Sequence, residues 1–220
     1  MCTELRIVVA GHSFVGHVKN FIDNDNDMLN RYQYSFNLYK ENAETQFVFR
    51  SGCDVLFMQN VLKTVIEKKL PHIIILEIGS NDLTKTYIQP ARLADKVIKL
   101  SQSLMKSTTK FIIISAVIHR KITRTSMSPD EYNNRVNEYN EIMSKAVQKI
   151  PTLIFWHHPR INRGNNLLKP DGVHLNNAGN YHLYMSYKNS LAHAIWHINA
   201  RVGCNCDTAT LAKQRRVNVR

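Results

Sequence analysis

Five short runs of consecutive apolar residues, each followed by a stretch with helical spacing, constrain this chain more than any other feature. The runs are Leu5 to Ala10, Gln46 to Phe49, Ile73 to Ile78, Phe111 to Val117 and Leu153 to Trp156. Apolar side chains at successive positions would put hydrophobes on both faces of a strand. That suits a parallel sheet covered by helices on each side. Between the runs, Val55, Met58, Leu62 and Ile66 form one helical stripe, and Leu93, Val97, Leu100 and Leu104 another. Ser128 and Pro129 read as N-cap and first turn of a helix running through Val136, Tyr139, Ile142, Ala146 and Val147 to the residue before Pro151. A last helix is expected from near Ala178 through Leu183, Tyr187, Leu191 and Ile195. The alternation implies an α/β layered fold.

At 220 residues and 44% hydrophobic, the chain can bury one sizeable core, so one domain is expected over 1–200. No run of 18 or more apolar residues suggests a membrane span, and the N-terminus lacks a signal-peptide pattern. Four cysteines, two of them nearly adjacent, do not make a disulfide framework; reduced thiols and a cytoplasmic setting are the expectation. Cys204 and Cys206 lack a second ligand pair at zinc-site spacing and read as a tail feature. The formal net charge of +12 makes polyanions plausible partners, but lysines and arginines are spread through the chain. Residues 201–220 concentrate Arg201, Lys213, Arg215, Arg216 and Arg220 against Asp207 and read as a flexible basic tail. Such a tail would add weak, salt-sensitive, sequence-independent affinity for nucleic acid.

The chemistry is expected beyond the carboxyl ends of the strands, where open α/β sheets bind ligands. The first run ends in Gly11-His12-Ser13, where Gly11 would allow a tight turn and Ser13 would sit at a helix N-terminus. A hydroxyl there can attack a carbonyl while its own N–H helps hold an oxyanion; the plainer reading is an N-cap serine. Gly52, after the second run, could bring a backbone N–H to a substrate, or simply close a strand-helix turn. Gly79-Ser80-Asn81-Asp82 follows the third run, and the Asn81 amide can donate to a developing oxyanion without titrating. Asp171-Gly172-Val173-His174 supplies an imidazole base with a carboxylate three residues earlier to fix its tautomer.

In order and placement these blocks resemble the SGNH-hydrolase (GDSL-like esterase/lipase) superfamily, over nearly the whole chain to about residue 198. The stretch Arg135 to Ile142 also looks like the helix before the fifth strand in that family. The resemblance implies a flavodoxin-like three-layer sandwich, its five-stranded parallel sheet in the order 2-1-3-4-5. It further implies a serine esterase that forms an acyl-enzyme on small acyl or acetyl esters and needs no cofactor or metal. Ser13, Asp171 and His174 would be catalytic, and Ser13, Gly52 and Asn81 would form the oxyanion hole. His12 stands where the family usually has Asp.

Two other readings compete. A metal hydrolase could use His157, His158, Asp171 and His174, although adjacent residues at a strand end usually point to opposite faces. The fold could instead serve as a retroelement-associated nucleic-acid-binding or assembly module with weak or no hydrolysis, although no zinc finger or RNP motif accompanies it. Cys53 is a minor nucleophile candidate that reads more simply as a buried hydrophobe. His119, His182, His193 and His197 have no evident partner in the sequence and read as structural or surface residues.

Overall fold

A computed structural model describes residues 5–24, 36, 38, 43–161 and 166–202, the last two as backbone only. Five strands, β1 (Leu5–Gly11), β2 (Ala43–Phe49), β3 (Ile73–Glu77), β4 (Phe111–Ser115) and β5 (Leu153–Trp156), pair in the order β2-β1-β3-β4-β5. Every pairing is parallel, with Val9 opposite both Phe47 and Ile75. This is the flavodoxin-like α/β arrangement. The second strand begins three residues before Gln46; Ala43 and Glu44 pair with Leu5 and Arg6 despite weak apolar character, because β2 is an edge strand with one neighbour.

The uninterrupted apolar runs divide their side chains between two cores, as period-two geometry requires. Val8, Ala10, Ile74, Leu76, Ile112 and Ile114 face helices α2 (Val55–Lys69), α3 (Pro90–Leu104) and α4 (Pro129–Val147). Ile7, Val9, Ile73, Ile75, Phe111 and Ile113 face α1 (Ser13–Asp23) and α5 (Asn177–Val202). Burying one such aliphatic side chain is worth about 1.5–3 kcal/mol, so each face holds its helices through many such contributions.

Local signals set the helix ends. Ser128 Oγ accepts from the Glu131 N–H at 3.1 Å with Pro129 in the first turn, and Asp54 accepts from the Phe57 N–H at 2.9 Å. The last helix starts at Asn177, one residue before Ala178, and reaches Val202. Residues 201 and 202 are therefore helical, so the boundary expected at 200 falls inside an element. The rest of the expected tail, 203–220, lies outside the described residues. Among the described residues no helix is long and apolar enough to cross a membrane.

Candidate active site

Gly11 ends β1 at a close approach and makes no left-handed turn: a Cβ there would stand 2.2 Å from the Glu77 carbonyl oxygen. That corrects the tight-turn reading; the glycine is needed because β1 and β3 nearly touch. His12 then caps α1, its Nδ1 accepting from the Phe14 N–H at 3.5 Å, so His12 and not Ser13 is the N-cap. Ser13 becomes the first helical residue, in the turn whose N–H groups have no intrahelical partner. The cap leaves the Ser13 hydroxyl uncommitted to its own helix. It donates instead to His174 Nε2 at 3.2 Å, across 161 positions of sequence.

The other half of the site is a loop folded around one carboxylate. Gly172 has φ +65°, and this left-handed step turns the chain so that Asp171 Oδ1 accepts from the Val173 and His174 N–H groups at 3.0 and 2.9 Å. Asp171 Oδ2 faces His174 Nδ1 at 2.6 Å. Burial pushes the Asp171 carboxyl up, but hydrogen bonds from the His174 ring and from the two backbone N–H groups hold it well below the usual carboxylate range. With Asp171 ionised, the ring proton stays on Nδ1 and Nε2 is left as the acceptor facing Ser13. The three sequence-predicted groups thus form one continuous hydrogen-bonded chain.

Asn81 and Gly52 lie on the facing loops. Asn81 Nδ2 donates to the Cys53 carbonyl at 2.9 Å, which spends one of its two N–H bonds and orients the second. Gly52 has φ +73° with nothing within 4 Å of where a Cβ would stand, so backbone conformation is what requires glycine there. Cys53 is a buried hydrophobe: burial, with Asp54 and Asp82 nearby, pushes its thiol up to about 11, which disfavours a thiolate.

Three features escaped the sequence reading. Arg120, 7% exposed, donates from one terminal nitrogen to Ser80 Oγ at 2.6 Å and Asn81 Oδ1 at 3.1 Å, and its guanidinium lies 4.9 Å from the Tyr132 ring centre. Among the described residues no carboxylate pairs with it. The Asn133 side chain clamps the Arg120 backbone in both directions, at 3.0 and 2.9 Å. A signal existed: Asn133, Asn137 and Asn140 recur at helical spacing and bind Arg120, His119 and Val117 in turn. The second feature is His17, whose ring lies 4.7 Å from that of His174; burial and His174 both push it down from its ordinary value. It lines an open cleft of about 450 Å³ with Asn20, Asn24, Lys169, Asn177 and Asn180.

The third feature is a buried polar cluster behind the site. Glu77 Oε2 accepts from Tyr187 at 3.1 Å and stands 3.4 Å from His158 Nε2, while His158 Nδ1 meets Ser186 Oγ at 2.8 Å. Burial pushes the Glu77 carboxyl up, but His158 and His12 more than offset this and hold it below its ordinary value. His158 is committed to this cluster, whereas His157 lies exposed edge-on to Phe155, so the two do not converge on Asp171 and His174. The arrangement offers no support for the metal-hydrolase reading, and no group of three His, Cys, Asp or Glu among the described residues could hold a metal ion.

Two buried groups make opposite contributions to pH-dependent stability. Burial lowers His12 to about 4, outweighing the attraction of Glu77, so its contribution is present above about 6.5 and lost as pH falls toward 4. Asp82, 2% exposed, is pushed up to about 6 by burial and Asp54. The native state then holds more protons than the unfolded chain between the ordinary aspartate value and about 6, so stability falls as pH rises through that window. Asp82→Asn keeps an acceptor for the Val55 N–H, bonded at 3.1 Å, and is expected to raise stability by about 1–3 kcal/mol at pH 7.5 but little at pH 4. Urea denaturation at both pH values checks this; an equal shift at each would refute it.

The sequence matches the GDSL-like Lipase/Acylhydrolase family over residues 15–186. No curated protein matches it. Among solved structures it resembles a catalytic mutant of Axe2, an acetylxylan esterase from Geobacillus stearothermophilus, at 14% identity and TM-score 0.60, covering 85% of this chain and 94% of that one. Catalytic mutants of Axe2 replace a serine, an aspartate or a histidine, the last two spaced three apart. A member of the lipolytic G-D-S-L family from Veillonella parvula is similar at 16% identity and TM-score 0.60, over 84% and 95%. At such identities the likeness shows the fold, while the family match spans most of the sequence. Taken with the strand order, it establishes that this chain belongs to the GDSL-like lipase/acylhydrolase family, within the SGNH-hydrolase superfamily.

Proposed function

We propose that this chain is a carboxylic ester hydrolase working through Ser13, His174 and Asp171. The observation that carries the proposal is the unbroken path from Ser13 Oγ to His174 Nε2 at 3.2 Å and from His174 Nδ1 to Asp171 Oδ2 at 2.6 Å. Ser13 Oγ attacks the ester carbonyl carbon as its proton passes to His174 Nε2. The carbonyl electron pair moves onto oxygen, where the Ser13 N–H, the Gly52 N–H and the second Asn81 N–H can receive it. When the tetrahedral species collapses, the alkoxy group leaves with the proton from His174. Water then attacks the acyl-serine with His174 as base, releasing the acid and restoring Ser13. The Asp-x-x-His spacing shared with Axe2 supports the assignment of the base.

The cleft beside His174 points to the substrate. Its lining of asparagines, Lys169 and His17 supplies donors and acceptors suited to a hydroxylated alcohol bearing a short acyl group. A fluorophosphonate should add once per chain, at Ser13, and acetyl esters should be cleaved faster than long-chain ones. Wild-type protein that hydrolyses no ester and shows no adduct on Ser13 would overturn the proposal.

A further inference from the structure

We propose that His17 and Asn180 form a leaving-group subsite that selects esters of polyhydroxylated alcohols, a role that rests on the Ser13, His174 and Asp171 mechanism above. His17 follows Ser13 by four positions on α1, so the two side chains share one face of that helix. Its ring lies 4.7 Å from the His174 ring, which Phe14 meets edge-on at 6.3 Å. The path from Ser13 through His174 to Asp171 is complete without His17, which therefore stands beside the proton path and not in it.

Acyl transfer decides which part of a substrate comes here. His174 Nε2 must hand its proton to the departing oxygen, so that oxygen has to lie within about 2.6–3.2 Å of it. The carbonyl oxygen belongs with the Ser13, Gly52 and Asn81 donors, which leaves the alcohol portion to extend past His174. The first carbons of the alcohol then come against the ring that flanks His174, and that ring is His17.

Two orphaned atoms define what this cleft accepts. His17 Nδ1 and Asn180 Oδ1 are buried without a hydrogen-bond partner among the described residues, and both residues line the cleft. Asn180 is 5% exposed, and its amide Nδ2 donates to the Leu175 carbonyl over a long 3.4 Å. The last torsions of histidine and asparagine are broad, so a small rotation turns either atom toward a ligand. Asn180 Oδ1 can only accept and so calls for a donor, which an ionised carboxylate does not offer. Burial, then His174 and Lys169, push His17 down from its ordinary value against the pull of Asp171, so at neutral pH the ring is uncharged. A neutral imidazole pairs with a hydroxyl in either tautomer, because a hydroxyl both donates and accepts. An alkyl chain would leave both atoms unpaired, and a site built to bond a hydroxyl rejects the analogue that lacks it. Asn20, Asn24 and Asn177 continue the polar lining, where further hydroxyls of a polyol or sugar would meet amides.

Initial rates of the full chain on glycerol 1-acetate and propyl acetate, which share a three-carbon alcohol, test this subsite. Each kcat/KM is divided by that ester's rate constant with hydroxide, which removes the difference in leaving-group reactivity. Wild type should favour the glycerol ester at least about 10-fold. His17→Phe keeps a ring against His174 without its nitrogens and should lower that preference at least about fivefold, chiefly through a higher KM for glycerol 1-acetate. His17→Gln restores a donor and an acceptor and should recover part of it, and Asn180→Ala should lower it as His17→Phe does. The subsite is overturned, with the mechanism left standing, if wild type cleaves both esters with equal corrected kcat/KM. It is equally overturned if His17→Phe keeps the wild-type preference while both rates fall together, as a purely structural role would have it. If neither ester is hydrolysed, the mechanism fails first and the subsite with it.

Discussion

Ser13→Ala is expected to lower kcat/KM on a short-chain p-nitrophenyl ester by about 10⁴–10⁶-fold while leaving thermal stability nearly unchanged. Among the described residues the hydroxyl makes one polar contact, to His174 Nε2 at 3.2 Å, and the α1 cap is provided by His12, so its loss removes no structural bond of the helix. His174→Ala should cost about as much, and the double variant little more than either alone, if the two act as one unit as the proposed mechanism requires. Asp171→Asn tests the third member. It retains one acceptor for the Val173 and His174 N–H groups, but it can donate toward Nδ1 and so favour the wrong tautomer, with an expected loss near 10⁴-fold. Steady-state kinetics together with thermal melts decide the matter. If Ser13→Ala kept more than about a tenth of wild-type activity, a group elsewhere would be the nucleophile.

The strands and this constellation were legible because each announces itself locally. A run such as Ile73-Ile74-Ile75-Leu76 can only be buried on both faces, and its side chains do divide between the two cores. Asp171 to His174 could be read because a carboxylate three residues before an imidazole reaches it within one turn of chain, here with Gly172 making the bend. Arg120 could not be read in the same way. It is buried beside Asn81 with no carboxylate paired to it among the described residues, and neither feature is visible in Val117-Ile118-His119-Arg120. Gly11 was misread for a related reason, since a close approach to Glu77 is a long-range contact that looks like a turn in one dimension. The Glu77, His158, Ser186 and Tyr187 cluster joins β3, the segment after β5, and α5, elements far apart in sequence. Nothing local at any of those positions distinguishes a core carboxylate from a surface one.

Arg120→Gln is expected to lower kcat by about 10–10²-fold with KM little changed, and to alter stability at neutral pH by less than about 1 kcal/mol. Two opposing effects meet in this residue. Among the described residues Arg120, 7% exposed, has no hydrogen-bond partner for its Nε and no carboxylate paired with it. A buried cation left in this state weakens the resting fold, because lost hydration is repaid only by hydrogen bonds to Ser80 and Asn81 and by the Tyr132 ring. Under the proposed mechanism its counter-charge would be the oxyanion that develops during acyl transfer. The cation also holds Asn81 Oδ1, which fixes the orientation of the amide; in the proposed mechanism this would leave an N–H for that oxygen. Glutamine can still donate to Ser80 or Asn81 but carries no charge, so relief of the unpaired cation should offset much of the lost bonding. Arg120→Lys keeps the charge and loses the planar fork, and should recover part of kcat. A residue needed only for packing would behave otherwise: Gln and Lys would lower stability together, and kcat would follow the folded fraction. Kinetics and urea denaturation on the same preparations separate these outcomes, and loss of stability without a specific loss of kcat in the remaining folded protein would show that Arg120 does not act on the oxyanion.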